Sequence, residues 1–197
     1  MSNKTIDYYN KNTEKFVSTT VNCEFSEMQD KFLNYLGNNA KILDLGCGSG
    51  RDSKYFIDRG YSVTALDGSQ ELCKVAETFI GQGVVCMDFR NLNYNKEFDG
   101  IWACASLLHL KKEEIQTVIL KCINALKLNG ILYCSFKYGH FEGDRNGRYF
   151  TDLTEEMFEK IISNIKEIEI KEMFISNDVR KGREQEQWLN IFIKKGN

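Results

Sequence analysis

Residues 42–50 read Ile-Leu-Asp-Leu-Gly-Cys-Gly-Ser-Gly, an apolar run passing straight into three glycines at alternate positions. A run of this length ending in glycine predicts a buried strand followed by a sharp turn. Gly46, Gly48 and Gly50 let the backbone approach another molecule with no Cβ in the way. A helix starting beyond them offers unpaired N–H groups, which suit an anionic or carboxylate-bearing ligand. The segment therefore predicts a site for a nucleotide-like cofactor.

The rest of the chain continues the alternation. Phe25, Met28, Phe32 and Leu36 mark one face of a helix that stops at Gly37. Strand 41–46 leads to a helix near 51–59, and strand 61–67 leads to helix 70–80, with Ser69 as N-cap and Gly81 as C-cap. Strands 84–89 and 98–104, helix 111–127 and strand 131–136 follow, and the glycine-rich polar segment 139–148 then breaks the rhythm. Helix 154–165, capped by Thr154, precedes two strand-like segments, 166–176 and 187–194, placed to pair as an antiparallel hairpin. Strands alternating with helices predict an α/β fold, a doubly wound and mostly parallel sheet covered on both faces. Ligands of such sheets sit at the carboxyl ends of the strands.

With 197 residues and no dividing linker, the chain reads as a single domain over 1–197. Residues 1–38 form an N-terminal helical segment, and residues 39–197 the core with an insert at 138–150. A net charge of −2 gives no electrostatic reason to expect nucleic acid or an anionic membrane as partner. No apolar run is long enough to span a bilayer, and the polar start lacks a signal-peptide core. Seven cysteines without a CxxC pair read as small core residues of a reducing compartment, so cytoplasm is the expected location. With only His109 and His140 to join them, no metal site is expected.

Spacing decides between cofactors. The nicotinamide-dinucleotide pattern GxGxxG fails, because Arg51 stands where the third glycine would be when counting from Gly46, and Ser53 when counting from Gly48. The pattern present is Asp44-x-Gly46-x-Gly48-x-Gly50, with Asp67 at the end of the second strand and Asp88 at the end of the third. This combination resembles the class I S-adenosylmethionine-dependent methyltransferases, over roughly residues 40–137. Arg51-Asp52-Ser53 after the glycines is similar to the tellurite-resistance-type, small-molecule branch. The resemblance implies a seven-stranded Rossmann-like sheet with an antiparallel C-terminal strand, S-adenosylmethionine as cofactor and S-adenosylhomocysteine as product.

Residue by residue, the resemblance implies that Gly46, Cys47, Gly48 and Gly50 approach the methionine part of the cofactor, with Asp44 on its ammonium. Arg51 and Asp52 stand beside them. Asp67, followed by Gly68 and Ser69, accepts from the ribose hydroxyls, since one carboxylate can take two hydrogen bonds. Asp88 accepts from the adenine amino group between Met87 and Phe89. Cys104 passes the sulfonium, and Ser106 and His109 lie towards the methyl acceptor. Where this family turns into its fifth strand with Pro-Gly, this chain has Lys127-Leu128-Asn129-Gly130, and Gly130 keeps the turn.

The acceptor side is read from residue chemistry. The strand-four segment cannot hold the Asn/Asp-Pro-Pro-aromatic signature of nucleic-acid amino-methylating enzymes, because the chain has no proline. His109 is the candidate base where the acceptor must lose a proton; its alternative is to cap or underpack the helix from 111. Tyr138 is a second catalytic candidate. Lys137, Arg145 and Arg148 in the insert, with Arg180, Arg183 and Trp188 in the last loop, could meet an acceptor carboxylate or phosphate. The alternative is solvated charge paired with Glu142, Asp144, Glu184 and Glu186. Tyr8, Tyr9 and Phe16 suggest a lid over the cofactor, Tyr9 nearest the ligand, or else rings that anchor a helix to the sheet. The expected activity is methylation of a small molecule by a monomer or homodimer. An RNA methyltransferase and a non-catalytic cofactor-binding module are the alternatives, and the first would need a basic surface this chain lacks.

Overall fold

A computed structural model describes residues 3–196; residues 1, 2 and 197, at the ends of the expected domain, lie outside the described residues. Two short helices open the chain, α1 (Asn3–Lys11) and α2 (Thr13–Thr20), followed by α3 (Ser26–Leu33). Strand β1 (Lys41–Leu45), α4 (Arg51–Asp58), β2 (Ser62–Asp67), α5 (Gln70–Ile80), β3 (Val85–Cys86), β4 (Phe98–Ala103), α6 (Lys112–Ala125) and β5 (Leu126–Lys137) come next. Hairpin β6 (Glu142–Arg145) and β7 (Arg148–Thr151), α7 (Glu155–Ile162), β8 (Ile168–Asn177) and β9 (Gln187–Lys195) complete it.

The main sheet has seven strands in the order β3-β2-β1-β4-β5-β9-β8. β1 to β5 pair in parallel, and β9 runs antiparallel to both β5 and β8. The expected α/β sheet with an antiparallel strand near its C-terminal edge is the observed one. Side-chain alternation along the central strands explains its burial on both faces. Ile101 and Ala103 of β4 and Leu132 and Cys134 of β5 face the α6 and α7 side. Trp102 and Tyr133 face α3 and stack at 4.2 Å, with Phe32 and Phe192 beside them. Gly100 makes room on that face, because a Cβ there would stand 2.7 Å from the Phe32 ring.

Three local readings change. Strand β3 is two exposed residues, not six, because the chain leaves the sheet at Met87 for a tight turn over Phe89–Asn91. The turn expected before strand five lies inside β5, where Asn129 has φ 63° and the pairing with β4 shifts between Phe98 and Gly100. The segment 139–148 is no open insert. It folds into β6, the Asn146-Gly147 turn and the first residue of β7, with both turn residues at positive φ (52° and 80°), the backbone a two-residue hairpin turn requires.

The hairpin and the first helices meet across the carboxyl ends of the strands. Helix α1 packs on α5 and β7. The Thr5 hydroxyl accepts from the Tyr149 N–H at 3.0 Å, and Asn10 Oδ1 accepts from the Ser69 hydroxyl at 2.7 Å. The Tyr8 ring covers Gly147, where a Cβ would stand 3.0 Å away.

Candidate active site

Beneath this cover lies a cavity of about 180 Å³, floored by the glycine turn and the ends of β4 and β5. All three glycines have positive φ (88°, 55° and 83°), a region costly for residues with a Cβ. Their surroundings differ. A Cβ on Gly46 would stand 2.5 Å from the Ser106 Cβ, and one on Gly50 would stand 2.9 Å from Ile80. Only Gly48 turns its bare side towards the cover, 3.1 Å from the Phe16 ring by the same measure. Gly50 is therefore a packing requirement of α4 against α5, not part of the cavity wall.

Asp67 lies on the cavity wall. Buried at the end of β2, it accepts from the Gly48 N–H at 3.0 Å and the Ser69 N–H at 2.8 Å. Burial raises its pKa, against the pull of these backbone donors. Gly68 lends a third backbone N–H to the same carboxylate. A carboxylate has about four lone-pair sites, so one remains for a hydroxyl donor. Ser69 caps α5 as expected, accepting from the Leu72 N–H at 3.2 Å.

Asp44 and Asp52 form a pair with divided duties. Asp52 lines the cavity and accepts from Gln29 (2.6 Å), both Nε and Nη2 of Arg51 (2.7 and 2.9 Å) and the Trp102 indole (2.9 Å). Burial works to raise its pKa, but the Arg51 charge and these donors bring it below the usual carboxylate range. Asp44, set behind the turn, is raised by burial and by the Asp52 charge, and it accepts from the Ser53 hydroxyl at 2.6 Å. Asp44 does not reach the cavity wall, so its position suits bracing the turn better than touching a ligand.

The third acid is also engaged. Asp88 caps the turn after β3, where Arg90 grips both its oxygens at 3.0 and 2.8 Å. Burial opposes this, yet the Arg90 side chain and backbone donors carry the Asp88 pKa down to about 2. Met87 packs against the core, and Phe89 is fully buried under Gly46 instead of flanking an open slot.

On the far wall, His109 is buried and makes two contacts. Its Nδ1 lies 2.7 Å from the Tyr149 carbonyl oxygen, which can only accept, so Nδ1 carries the proton. Burial lowers its pKa to about 3. Nε2 of this neutral ring therefore accepts from the Tyr9 hydroxyl at 2.9 Å. Arg148 Nη1 in turn donates to the Tyr9 oxygen at 3.3 Å. Cys104 and Ser106 line the cavity as expected.

The expected arginine cluster divides. Arg180 is forked onto Asp178, which also accepts from the Trp188 indole at 3.0 Å. Lys137 pairs with Glu186, and Arg183 stands 3.8 Å from the same residue. Arg145 turns away from the cavity to Asp152 at 2.8 Å. Tyr138 also lies off the cavity wall, hydrogen-bonded to Glu155 instead. Among the described residues Arg148 alone of these basic side chains has no carboxylate partner.

Several wall residues escaped sequence reasoning. Ala105 holds φ 50° with its N–H donated to the Ser135 hydroxyl at 2.8 Å, a strained backbone at the end of β4. No sequence signal marks it. Phe150 and Asp178 also line the wall; the Asp178-x-Arg180 spacing of two residues was a readable pairing signal.

Comparison with known proteins gives this geometry a lineage. Residues 42–130 match the methyltransferase domain family. The matched segment is just under half of the chain. An uncharacterized methyltransferase of Staphylococcus carnosus is 28% identical over 167 residues, covering 76% of this chain and 81% of that one. A ubiquinone biosynthesis O-methyltransferase of Rickettsia canadensis is 29% identical over 100 residues, and this chain spans 42% of its length and is itself matched over 48%.

Among solved structures, the Burkholderia thailandensis 1,6-didemethyltoxoflavin-N1-methyltransferase with bound S-adenosylhomocysteine superposes with a TM-score of 0.79 at 19% identity, over 98% of this chain and 88% of that one. The magnesium protoporphyrin IX methyltransferase of Synechocystis gives 0.76 at 16%, over 98% and 99%. At these identities the likeness is one of fold. The chain has the Rossmann-like fold of these methyltransferase structures. No helix among the described residues is long and apolar enough to cross a membrane, and no group of three metal-ligating side chains occurs among them.

Proposed function

We propose that the protein methylates a small-molecule acceptor enclosed beneath a lid formed by residues 1–38, within a single domain of the small-molecule, tellurite-resistance-like type. One observation carries this reading: Tyr9 of α1, Phe16 and Thr20 of α2 and Arg148 and Phe150 of β7 line the cavity over the glycine turn, on a scale that suits a small molecule. Arg51-Asp52-Ser53 supports the subgroup.

S-adenosylmethionine supplies an electrophilic methyl group on a sulfonium. The protein's work is to align the acceptor in line with that group and to exclude water. Asp67 holds the ribose through its remaining lone pair, Gly46, Cys47 and Gly48 leave the floor open to the methionine part, and Arg51 and Asp52 stand at its amino-acid end. Cys104 and the strained Ala105 form the wall beside the reacting carbon. Tyr9, pinned by His109, closes the site from above. The low pKa of His109 suits holding the Tyr9 hydroxyl more than taking a proton from an acceptor.

Isothermal titration with S-adenosylmethionine, then a methyl-transfer screen of phenols, amines, thiols and carboxylates, tests the reading. Micromolar binding with turnover on one class supports it. Binding without turnover on any class overturns the catalytic reading, and absence of binding overturns the cofactor assignment. Asp67→Asn is expected to weaken cofactor binding at least about tenfold, since the loss of one charge-assisted acceptor corresponds to about 1.4 kcal/mol or more.

A further inference from the structure

Five cationic side chains line the cavity: Arg51, Lys137, Arg148, Arg180 and Arg183. Four have a carboxylate within 4 Å, namely Asp52, Glu186, Asp178 and Glu186 again. Arg148 has none among the described residues. Its guanidinium lies 4.8 Å from the Tyr8 ring, 5.7 Å from Tyr9 and 5.0 Å from Phe150, so aromatic faces surround it. Its Nη1 is taken by the Tyr9 oxygen. Its Nε is buried with no acceptor at all.

The unpaired edge of this guanidinium is thus Nε–Nη2, the edge that takes a carboxylate through two parallel hydrogen bonds. A buried donor without a partner is costly and calls for an acceptor. A second unmet group lies on the same wall: the Ser106 hydroxyl, in a residue 3% exposed, has no hydrogen-bond partner. Arg148 also belongs to a hairpin beyond residue 130, outside the segment shared with the methyltransferase domain family. A residue there is placed to serve this chain's own acceptor in preference to the common cofactor.

We propose that Arg148 and Ser106 form the recognition subsite for a planar acceptor bearing a carboxylate, with Arg148 taking the carboxylate side-on and the Phe150 and Tyr9 rings flanking the plane. The proposal deepens, and rests on, the small-molecule methyltransferase reading. It selects one arginine of the original cluster and names the chemistry it reads.

The test uses benzoate, its neutral isostere benzamide and inorganic phosphate, each titrated into the full chain with and without S-adenosylhomocysteine. Benzoate is expected to bind at least about tenfold tighter than the other two, a step worth about 1.4 kcal/mol. Arg148→Gln should erase that preference, Arg148→Lys should keep part of it, and Ser106→Ala should weaken benzoate less than Arg148→Gln does. Equal binding of benzamide, tight binding of phosphate, or a preference that survives in Arg148→Gln would overturn the proposal. So would an Arg148→Gln variant that loses affinity for S-adenosylhomocysteine but not for 5′-methylthioadenosine, which lacks the amino-acid carboxylate. Failure of the wild-type chain to bind S-adenosylhomocysteine sinks the cofactor reading instead, and the titrations without it still judge the benzoate preference.

Discussion

The Tyr9 hydroxyl donates to Nε2 of His109 across 2.9 Å and a hundred residues of sequence. The bond ties the first helix to the segment after β4, and so fixes the cover over the cavity. Its direction follows from the other ring nitrogen, which spends its proton on the Tyr149 carbonyl. Tyr9→Phe keeps the ring against Phe16 (5.1 Å between centroids) but leaves a buried imidazole nitrogen without a donor. A lost buried hydrogen bond of this kind costs about 1–3 kcal/mol. Hydrogen exchange should report the loss as faster exchange across α1, with the amides of β4 and β5 little changed.

Acid should weaken the fold through the same histidine. His109 has an ordinary value of 6.5 and is brought down to about 3 by burial. Between these limits the unfolded chain binds a proton that the folded one refuses, so stability falls as pH falls. The contribution is complete above about pH 6.5 and lost on the way to pH 3, in total on the order of 5 kcal/mol. The buried Asp44 and Asp67, raised in the fold, act in the opposite direction. His109→Gln isolates the term. Its stability difference from wild type, measured by urea unfolding at several pH values, should shift in favour of the variant as pH drops. A constant difference from pH 7 to pH 4 would contradict this.

The sheet was legible because its central strands are apolar runs, of which β1 and β2 are closed by glycine or aspartate, at Leu45-Gly46 and Leu66-Asp67. The third strand was overread because Val85 and Cys86 are exposed, and only their pairing with Leu66 and Asp67 makes them a strand. Hairpin β6–β7 was hidden by its charge, although Asn146-Gly147 was a readable turn signal. Within the site, residues near in sequence were easier to place than those far apart. Arg180 and Asp178 are two residues apart. The Tyr9–His109–Arg148 set depends on a fold that joins the first helix to a late hairpin, and no local pattern encodes that.

Substitution at two glycines separates packing from backbone strain. Gly46 and Gly60 have nearly the same φ, 88° and 84°, but a Cβ on Gly46 meets Ser106 at 2.5 Å while one on Gly60 meets nothing within 4 Å. Gly60→Ala bears only the left-handed backbone cost, about 1–2 kcal/mol. Gly46→Ala adds overpacking and should lose about 2–4 kcal/mol in all. Thermal unfolding of the two variants checks the ordering, and equal losses would show that backbone conformation alone sets the penalty.

Charge pairs in the same helix α4 offer a parallel contrast. Lys54 and Asp58 form an i,i+4 pair with side chains 38% and 52% exposed. Arg51 and Asp52 pair with side chains 21% and 11% exposed, and Asp52 also anchors Gln29 and Trp102. Solvent screens the first pair, so Asp58→Asn should change stability by no more than about 0.5 kcal/mol. Asp52→Asn leaves the Arg51 charge poorly solvated beside the cavity and puts an amide N–H₂ where two donors already point. Breaking a buried pair by removing one charge costs about 3–5 kcal/mol; partial access through the cavity places the expected loss near the lower figure. Chemical denaturation of both variants measures the ratio. If Asp52→Asn proves as mild as Asp58→Asn, the buried network does not hold α3 and α4 onto the sheet.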